Sequence, residues 1–224
     1  MKIASLNVHA LSGNRLDRLI NEFIMHYEID VLFLQEIGLK KIKILAEKTN
    51  MSYHYAYYNG IISKLPLYDV ITKKIKVKGI NYDRGLVSAK IKVGARKKTF
   101  VMFHFDHKYE LDRIKQLKEI EEYVNSADYF VGDFNALNRD DYDNNKWDIL
   151  QQSRKDCNLE IGKHDLMDLL KKDFLIVPYS IPTTPYDTRV DYMLTKNKKD
   201  LKKIKYIDTL SCKLSDHNAI ILTC

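Results

Sequence analysis

Apolar and polar positions along the chain switch between two periods. "KIASLNV" and "DVLFLQE" are short apolar runs of strand length, and between them "NRLDRLINEFIMHY" carries Leu16, Leu19, Ile20, Phe23 and Ile24 at helical spacing. The helical period returns in "LKKIKILAEKTN". Strand-like runs then follow one another without a helix: "SYHYAYY", "GIISK", "YDVITKKIKV", "GLVSAKIKV" and "KTFVMFHF". The pattern next predicts a helix over "ELDRIKQLKEIEEYV" and a strand over "DYFVGDFNA". A loop with short helices is expected over 137–175, and strands again at "RVDYMLT", "KIKYIDT" and "NAIILT". βα units at both ends with hairpins between them predict an α/β fold of two mixed sheets packed face to face, helices outside. With 4 prolines and 8 glycines there is no linker-like stretch, so 1–224 reads as a single domain, long enough to bury a sizeable core.

Composition changes this picture little. The formal net charge of +7 favours an anionic partner, although the stretches 73–78, 96–98 and 196–205 fall on strand edges and hairpin ends, where lysine also serves as edge protection. The 3 cysteines, Cys157, Cys212 and Cys224, are odd in number and share no metal-type spacing, which predicts reduced thiols. "MKIASLNVHAL" reads as a strand from the outset, with no signal-type apolar core before it, and no apolar run approaches membrane-spanning length. An intracellular, soluble protein without membrane insertion is expected, and a monomer.

Candidate chemistry sits where the apolar strands end. Asn7 closes the first strand and Gln35-Glu36 the second; His104 and Asp106 close "FVMFHFD", and Asp133 and Asn135 close "YFVGDFN". Asp191 opens "RVDYML", and Asp216-His217 stands directly before "NAIIL". Each has a structural explanation alone: Asp133 and Asn135 as turn residues, Glu36 as a helix cap, His104 as a core histidine. Their recurrence at one strand end after another points instead to a shared site at one rim of the sheets. Residues i and i+2 of a strand face the same way, so Asp133 and Asn135 project together. Glu36, Asp216 and Asn7 offer hard oxygen ligands suited to Mg²⁺, with Mn²⁺ as a substitute, and not to zinc. No GxxxxGK[ST] loop, GxSxG elbow or HExxH helix is present. Hard ligands beside an Asp–His pair and neutral amides suit water attack on a phosphate ester.

The ordered set "SLNV", "FLQE", "GIISKLPL", "GLVSAKI", "FHFDH", "GDFNA", "RVDYML" and "SDHNAI" resembles the endonuclease/exonuclease/phosphatase superfamily, the DNase I-like fold, from Asn7 to His217. The resemblance implies a four-layer sandwich of two mixed β-sheets flanked by helices. It implies that Asp133 deprotonates the attacking water, that Asn135 holds that water or a phosphoryl oxygen, and that Glu36 is the principal metal ligand with Asn7 and Asp216 beside it. His217, held by Asp191, would bond a phosphoryl oxygen, and His104 would make a second phosphate contact. Arg113 and Gln116 match an Arg-x-x-Gln pattern, read as structural supports, with a phosphate contact as the alternative. His9 departs from the aspartate that several abasic-site nucleases carry there. The expected activity is that of a Mg²⁺-dependent phosphodiesterase on nucleic acid, an endonuclease or end-processing nuclease. The alternative is a phosphatase or phosphodiesterase on phosphoinositides, lipids or small phosphomonoesters.

Overall fold

The computed structural model describes residues 1–11 and 14–224. β1 (Lys2–Asn7) and β2 (Val31–Gln35) lie parallel, as strands joined by a helical crossover do. That crossover is α1 (Arg15–Arg18), continuing as a wider π-helical stretch over Leu19–Met25 and not as the plain α-helix the spacing predicts. Leu19, Ile20, Phe23 and Ile24 are all buried, so the predicted apolar face is the packed one. α2 (Leu39–Thr49) follows and ends on Asn50 at φ 51°, a left-handed cap that asparagine tolerates.

The first sheet has the order β10-β11-β1-β2-β4-β3, completed by β3 (Ser52–Ala56), β4 (Asn59–Ser63), β10 (Ile204–Ile207) and β11 (Ala219–Thr223). The second runs β5-β6-β7-β8-β9, from β5 (Leu67–Ile75) through β6 (Arg84–Val93), β7 (Arg96–Phe103) and β8 (Tyr129–Asp133) to β9 (Asp191–Thr195). Both are mixed: β1–β2 and β7–β8 are parallel and their other neighbours antiparallel. Exposed Lys73 and Lys74 lie on β5, an edge strand, as edge protection requires.

The strands are apolar on both faces because both faces are covered. Val31, Phe33, Phe100, Tyr129 and Val131 point into the core between the sheets, with Phe33 stacked on Phe100 and Phe100 on Tyr129. Leu32 and Leu34 face the opposite way, onto α2 and the π-helical stretch, and Phe130 faces the helices of the other side. Helix, sheet, sheet and helix therefore form four layers.

Two elements differ from expectation. The single helix predicted over "ELDRIKQLKEIEEYV" is two, α3 (Glu110–Glu119) and α4 (Glu121–Ser126), broken at Ile120. The break leaves both Ile120 and Val124 buried against the second sheet, and the Ile120 N–H is shared between the Gln116 and Leu117 carbonyls, as at a helix end. Within 137–175, α5 (Asn144–Asp156) is a full helix of 13 residues, capped by the Asp143 carboxylate, and α6 (Asp165–Leu170) is the short one.

Candidate active site

Strand pairing brings the predicted residues to one rim. Asp133, the last residue of β8, stands directly opposite Asp191, the first of β9. His104 follows β7, which runs parallel beside β8. In the other sheet Asn7 ends β1 level with Gln35, so Glu36 emerges next to it, and Asp216-His217 precedes β11, the antiparallel partner of β1. Gly132 lets β8 close on β7: its φ is +140°, and a Cβ there would lie 2.1 Å from the Phe103 carbonyl oxygen. Several non-glycine residues at the rim sit in the left-handed region, His9 at φ 43°, Glu36 at 56° and Asn135 at 49°. Asparagine adopts it cheaply; for Glu36 it costs about 1–3 kcal/mol, strain that concentrates at functional sites.

Asp133 is the hub. Its Oδ2 accepts from Asn7 Nδ2 at 3.0 Å, and its Oδ1 accepts from the Asn135 backbone N–H at 2.9 Å. The same Asn7 Nδ2 lies 3.0 Å from Glu36 Oε1, while Asn7 Oδ1 accepts from the His9 N–H. His217 Nδ1 bonds Asp191 Oδ2 at 2.8 Å, and its Nε2 stands 3.8 Å from Asp133 Oδ2. Asn135 Nδ2 donates to the Phe105 carbonyl and lies 3.1 Å from His104 Nε2.

Charge divides the two histidines. Burial works against the His217 imidazolium, but Asp191, Asp133 and Asp216 together outweigh it and hold its pKa up at about 10. His104 is pulled down to about 3, chiefly by burial and also by the Arg84 and His217 charges, with Asp133 opposing. His104 is therefore neutral near pH 7, and its 3.6 Å approach to Asp133 is no ion pair. Asp133 is pushed above the ordinary aspartate range by burial and then by Asp191, with His217, His104 and Asn7 pulling the other way.

Two groups have the spacing of cation ligands, Glu36 with His104 and Asp133, and Asp133 with Asp191 and His217, each within 4.8 Å. In the second, His217 Nδ1 is already engaged by Asp191 Oδ2 at 2.8 Å. Glu36 therefore marks the side open to a cation, with Asp216 joined to it through His9, whose Nδ1 lies 3.8 Å from Glu36 and 3.2 Å from Asp216. Two carboxylates, Glu36 and Asp133, grouped with the His104 imidazole have the spacing to hold a cation, and their oxygens suit a hard divalent ion. Sequence reasoning placed Asn7 and Asp216 around Glu36, noted His9 only as a departure from an aspartate, and had no place for Arg84. Arg84 opens β6, lines a cavity with Glu36 and His104, and has a buried Nε without a partner among the described residues.

Residues 4–217 match the model of the Endonuclease/Exonuclease/phosphatase family. The chain belongs to this family. No curated protein sequence matches it. Among solved structures similar to it is the Danio rerio TDP2 complexed with single strand DNA product, 18% identical, TM-score 0.69, covering 99% of this chain and 97% of that one. A mannosyl-6-phosphatase of Bacteroides thetaiotaomicron VPI-5482 is 13% identical, TM-score 0.69, covering 100% and 98%. The endonuclease domain of TRAS1, a telomere-specific non-LTR retrotransposon, is 16% identical, TM-score 0.61, covering 99% and 97%. The fold is thus DNase I-like, in a family of phosphoester hydrolases.

Around the family's rim residues, other motif positions are scaffolding. Gln116 accepts from the Asp106 N–H, and Arg113 binds Glu110 and the Asp106 carbonyl, pinning the segment after β7 to α3. The acidic loop after "GDFN" also has a structural task. Asp141 forms a two-pronged ion pair with fully buried Arg189, and the Tyr142 hydroxyl accepts from the Arg189 N–H, which fixes the start of β9 and hence Asp191. No helix is long and apolar enough to cross a membrane among the described residues.

Proposed function

We propose that the protein is a metal-dependent phosphodiesterase acting on nucleic acid, as an endonuclease or an end-processing nuclease. The observation that carries this reading is the array Asp133–His217–Asp191 beside Glu36, in which one buried carboxylate is made more basic and one imidazole is kept protonated. Asp133 takes the proton from the attacking water, a task its raised pKa suits. Asn135 orients that water or a phosphoryl oxygen. His217 donates from Nε2 to a phosphoryl oxygen while Asp191 fixes its ring from Nδ1, and neutral His104 makes a second contact. An imidazolium aimed at the phosphate stabilises the added negative charge of the transition state more than that of the ground state. A divalent cation bound by Glu36 with Asp216 and Asn7, Mg²⁺ or in its place Mn²⁺, would supply neutralisation of the charge developing on the phosphate.

Nucleic acid is favoured as substrate by the net charge of +7 and by the similarity to a protein solved with a single-stranded DNA product. A second reading, hydrolysis of a small phosphomonoester or a phosphoinositide, has its own support in the similarity to a mannosyl-6-phosphatase. Labelled DNA, RNA, 5′-tyrosyl-DNA, a sugar phosphate and phosphoinositides should be compared with Mg²⁺ and with EDTA. Metal-dependent cleavage of a polynucleotide is expected. Turnover confined to the phosphomonoester or the phosphoinositide would give the second reading the site.

A further inference from the structure

A cavity of about 500 Å³ opens beside the Asp133 array, with Asn135, Asp216 and His217 on one side and Arg154, Lys163 and Tyr186 on the other. Its size suits a nucleotide-sized group. Arg154 and Lys163 come from α5 and the turn after it, a segment that contributes nothing to the catalytic array, and Tyr186 from the loop before β9.

Arg154 lies half-buried on the last turn of α5. Its Nε donates to the Glu160 backbone carbonyl at 2.7 Å, which fixes the plane of the guanidinium. Both terminal nitrogens have no partner among the described residues, and no carboxylate among them forms an ion pair with Arg154. The Glu160 carboxylate is already engaged: the Glu110 N–H donates to it at 2.7 Å, Arg113 lies at 3.4 Å and Lys163 at 3.2 Å. Burial, and then the like charge of Arg113, press the Arg154 pKa below the usual arginine range. A guanidinium stays charged regardless, and although the Glu160 and Glu110 carboxylates act on it through space, neither forms an ion pair with it, so an anchored fork of donors faces the cavity. The fork matches phosphate oxygens two at a time.

We propose that Arg154 binds a second phosphate of the substrate, the one adjoining the scissile phosphate along a nucleic-acid strand. The proposal rests on the phosphodiesterase reading above and deepens it: the site then selects substrates with two phosphates in series over those with one. The rival role is a tie between α5 and the following turn, for which the Nε bond alone would suffice.

The test uses the full chain as Arg154→Gln and Arg154→Lys, with Lys202→Gln as control. Lys202 is exposed and lies just before β10, at the end of the sheets away from the rim. Binding of fluorescein-labelled oligothymidylate in EDTA, followed by anisotropy at several salt concentrations, reads the contact without turnover. Arg154→Gln is expected to weaken binding about 10–100-fold, the worth of a charged hydrogen-bond pair. It should also flatten the slope of log K against log salt by about 0.7, one phosphate contact on a single strand. Arg154→Lys should keep the slope and recover part of the affinity, and Lys202→Gln should change neither. In turnover, the loss of kcat/KM on an oligonucleotide should exceed the loss on bis-p-nitrophenyl phosphate, which has one phosphorus, by at least tenfold. An unchanged salt slope, or equal losses on the two substrates, would overturn the proposal and leave Arg154 as a tie. Were oligonucleotides cleaved with no dependence on Arg154, the nuclease reading would stand and this inference fall. If the wild type instead turned over only an inositol bisphosphate, the nuclease reading would fall. The second-phosphate site would then survive if Arg154→Gln raised KM for that substrate, and fall if it did not.

Discussion

Asp133 shows how one carboxylate acquires a chemistry from its surroundings. Buried beside Asp191, it is a better base than a surface aspartate, and Asn7 and the Asn135 backbone aim it. Asp133→Asn keeps the volume and loses the proton acceptor, so kcat should fall about 10²–10⁴-fold with the thermal midpoint little changed. A near wild-type rate in stopped assays would reduce Asp133 to a turn residue. His217 and Asp191 should act as a unit: each of His217→Ala and Asp191→Asn lowers kcat by orders of magnitude, and the double variant is little worse than His217→Ala. Losses that multiply would break the pairing. The pH dependence follows from the same charges. Activity should fall on the acid side as Asp133 is protonated through its raised pKa, and on the alkaline side as His217 deprotonates near 10. Asp191→Asn should move the alkaline limb of the rate profile towards neutrality. Because the folded pKa of His217 is raised, its stabilising contribution is complete below the unfolded value of 6.5 and is lost as pH rises through about 10.

At the scale of elements, the strands place the chemistry and the loops hold the strands. The period-2 pattern of β8, with Tyr129 and Val131 inward and Phe130 outward, is visible in the sequence. So is the switch to Gly132-Asp133 at its end. The acidic loop that follows reads in the sequence only as part of a loop with short helices; the tertiary structure assigns Asp141 to Arg189, 48 residues away. Asp141→Ala strands a buried guanidinium, and urea unfolding should show a loss of about 3–5 kcal/mol. The start of β9 would loosen with it, so activity at temperatures where the variant stays folded should also fall. Phe100→Ala, which empties the stack between Phe33 and Tyr129, should cost about 3–5 kcal/mol through cavity formation, with KM little affected because the rim is untouched.

For the whole molecule, two sheets meeting at one rim mean that the site is only as good as their packing. Glu36 and Asn7 come from one sheet and Asp133, His104 and Asp191 from the other, so a cation bound at Glu36 beside Asp133 would couple to global stability. Mg²⁺ at about 100 times its dissociation constant should stabilise the fold by about 2.7 kcal/mol, seen as a rise in thermal midpoint that EDTA reverses. Glu36→Gln should need more Mg²⁺ for the same rise, read by calorimetry. Unchanged metal affinity in that variant would leave Glu36 as a partner of Asn7 and not a metal ligand.

The sequence alone determined the elements, their layering and the list of rim residues, because burial on both faces leaves continuous apolar runs and strand ends show where those runs stop. It missed the π-helical turn and the break at Ile120, where packing overrode local period, and the full length of α5, which has no buried residue to mark it. Which side chains meet was decided by strand order. Asn7 reaches Asp133 across 126 residues, and Asp191 faces Asp133 only because β9 pairs with β8 in that register. His9 stood out in the sequence only as a departure from an aspartate, with no hint that it lies between Glu36 and Asp216, and Arg154 facing the cavity carries no local signal at all. Their roles come from what tertiary packing sets beside them and from what it leaves unpaired, and charge in a chain with 37 basic residues does not single them out.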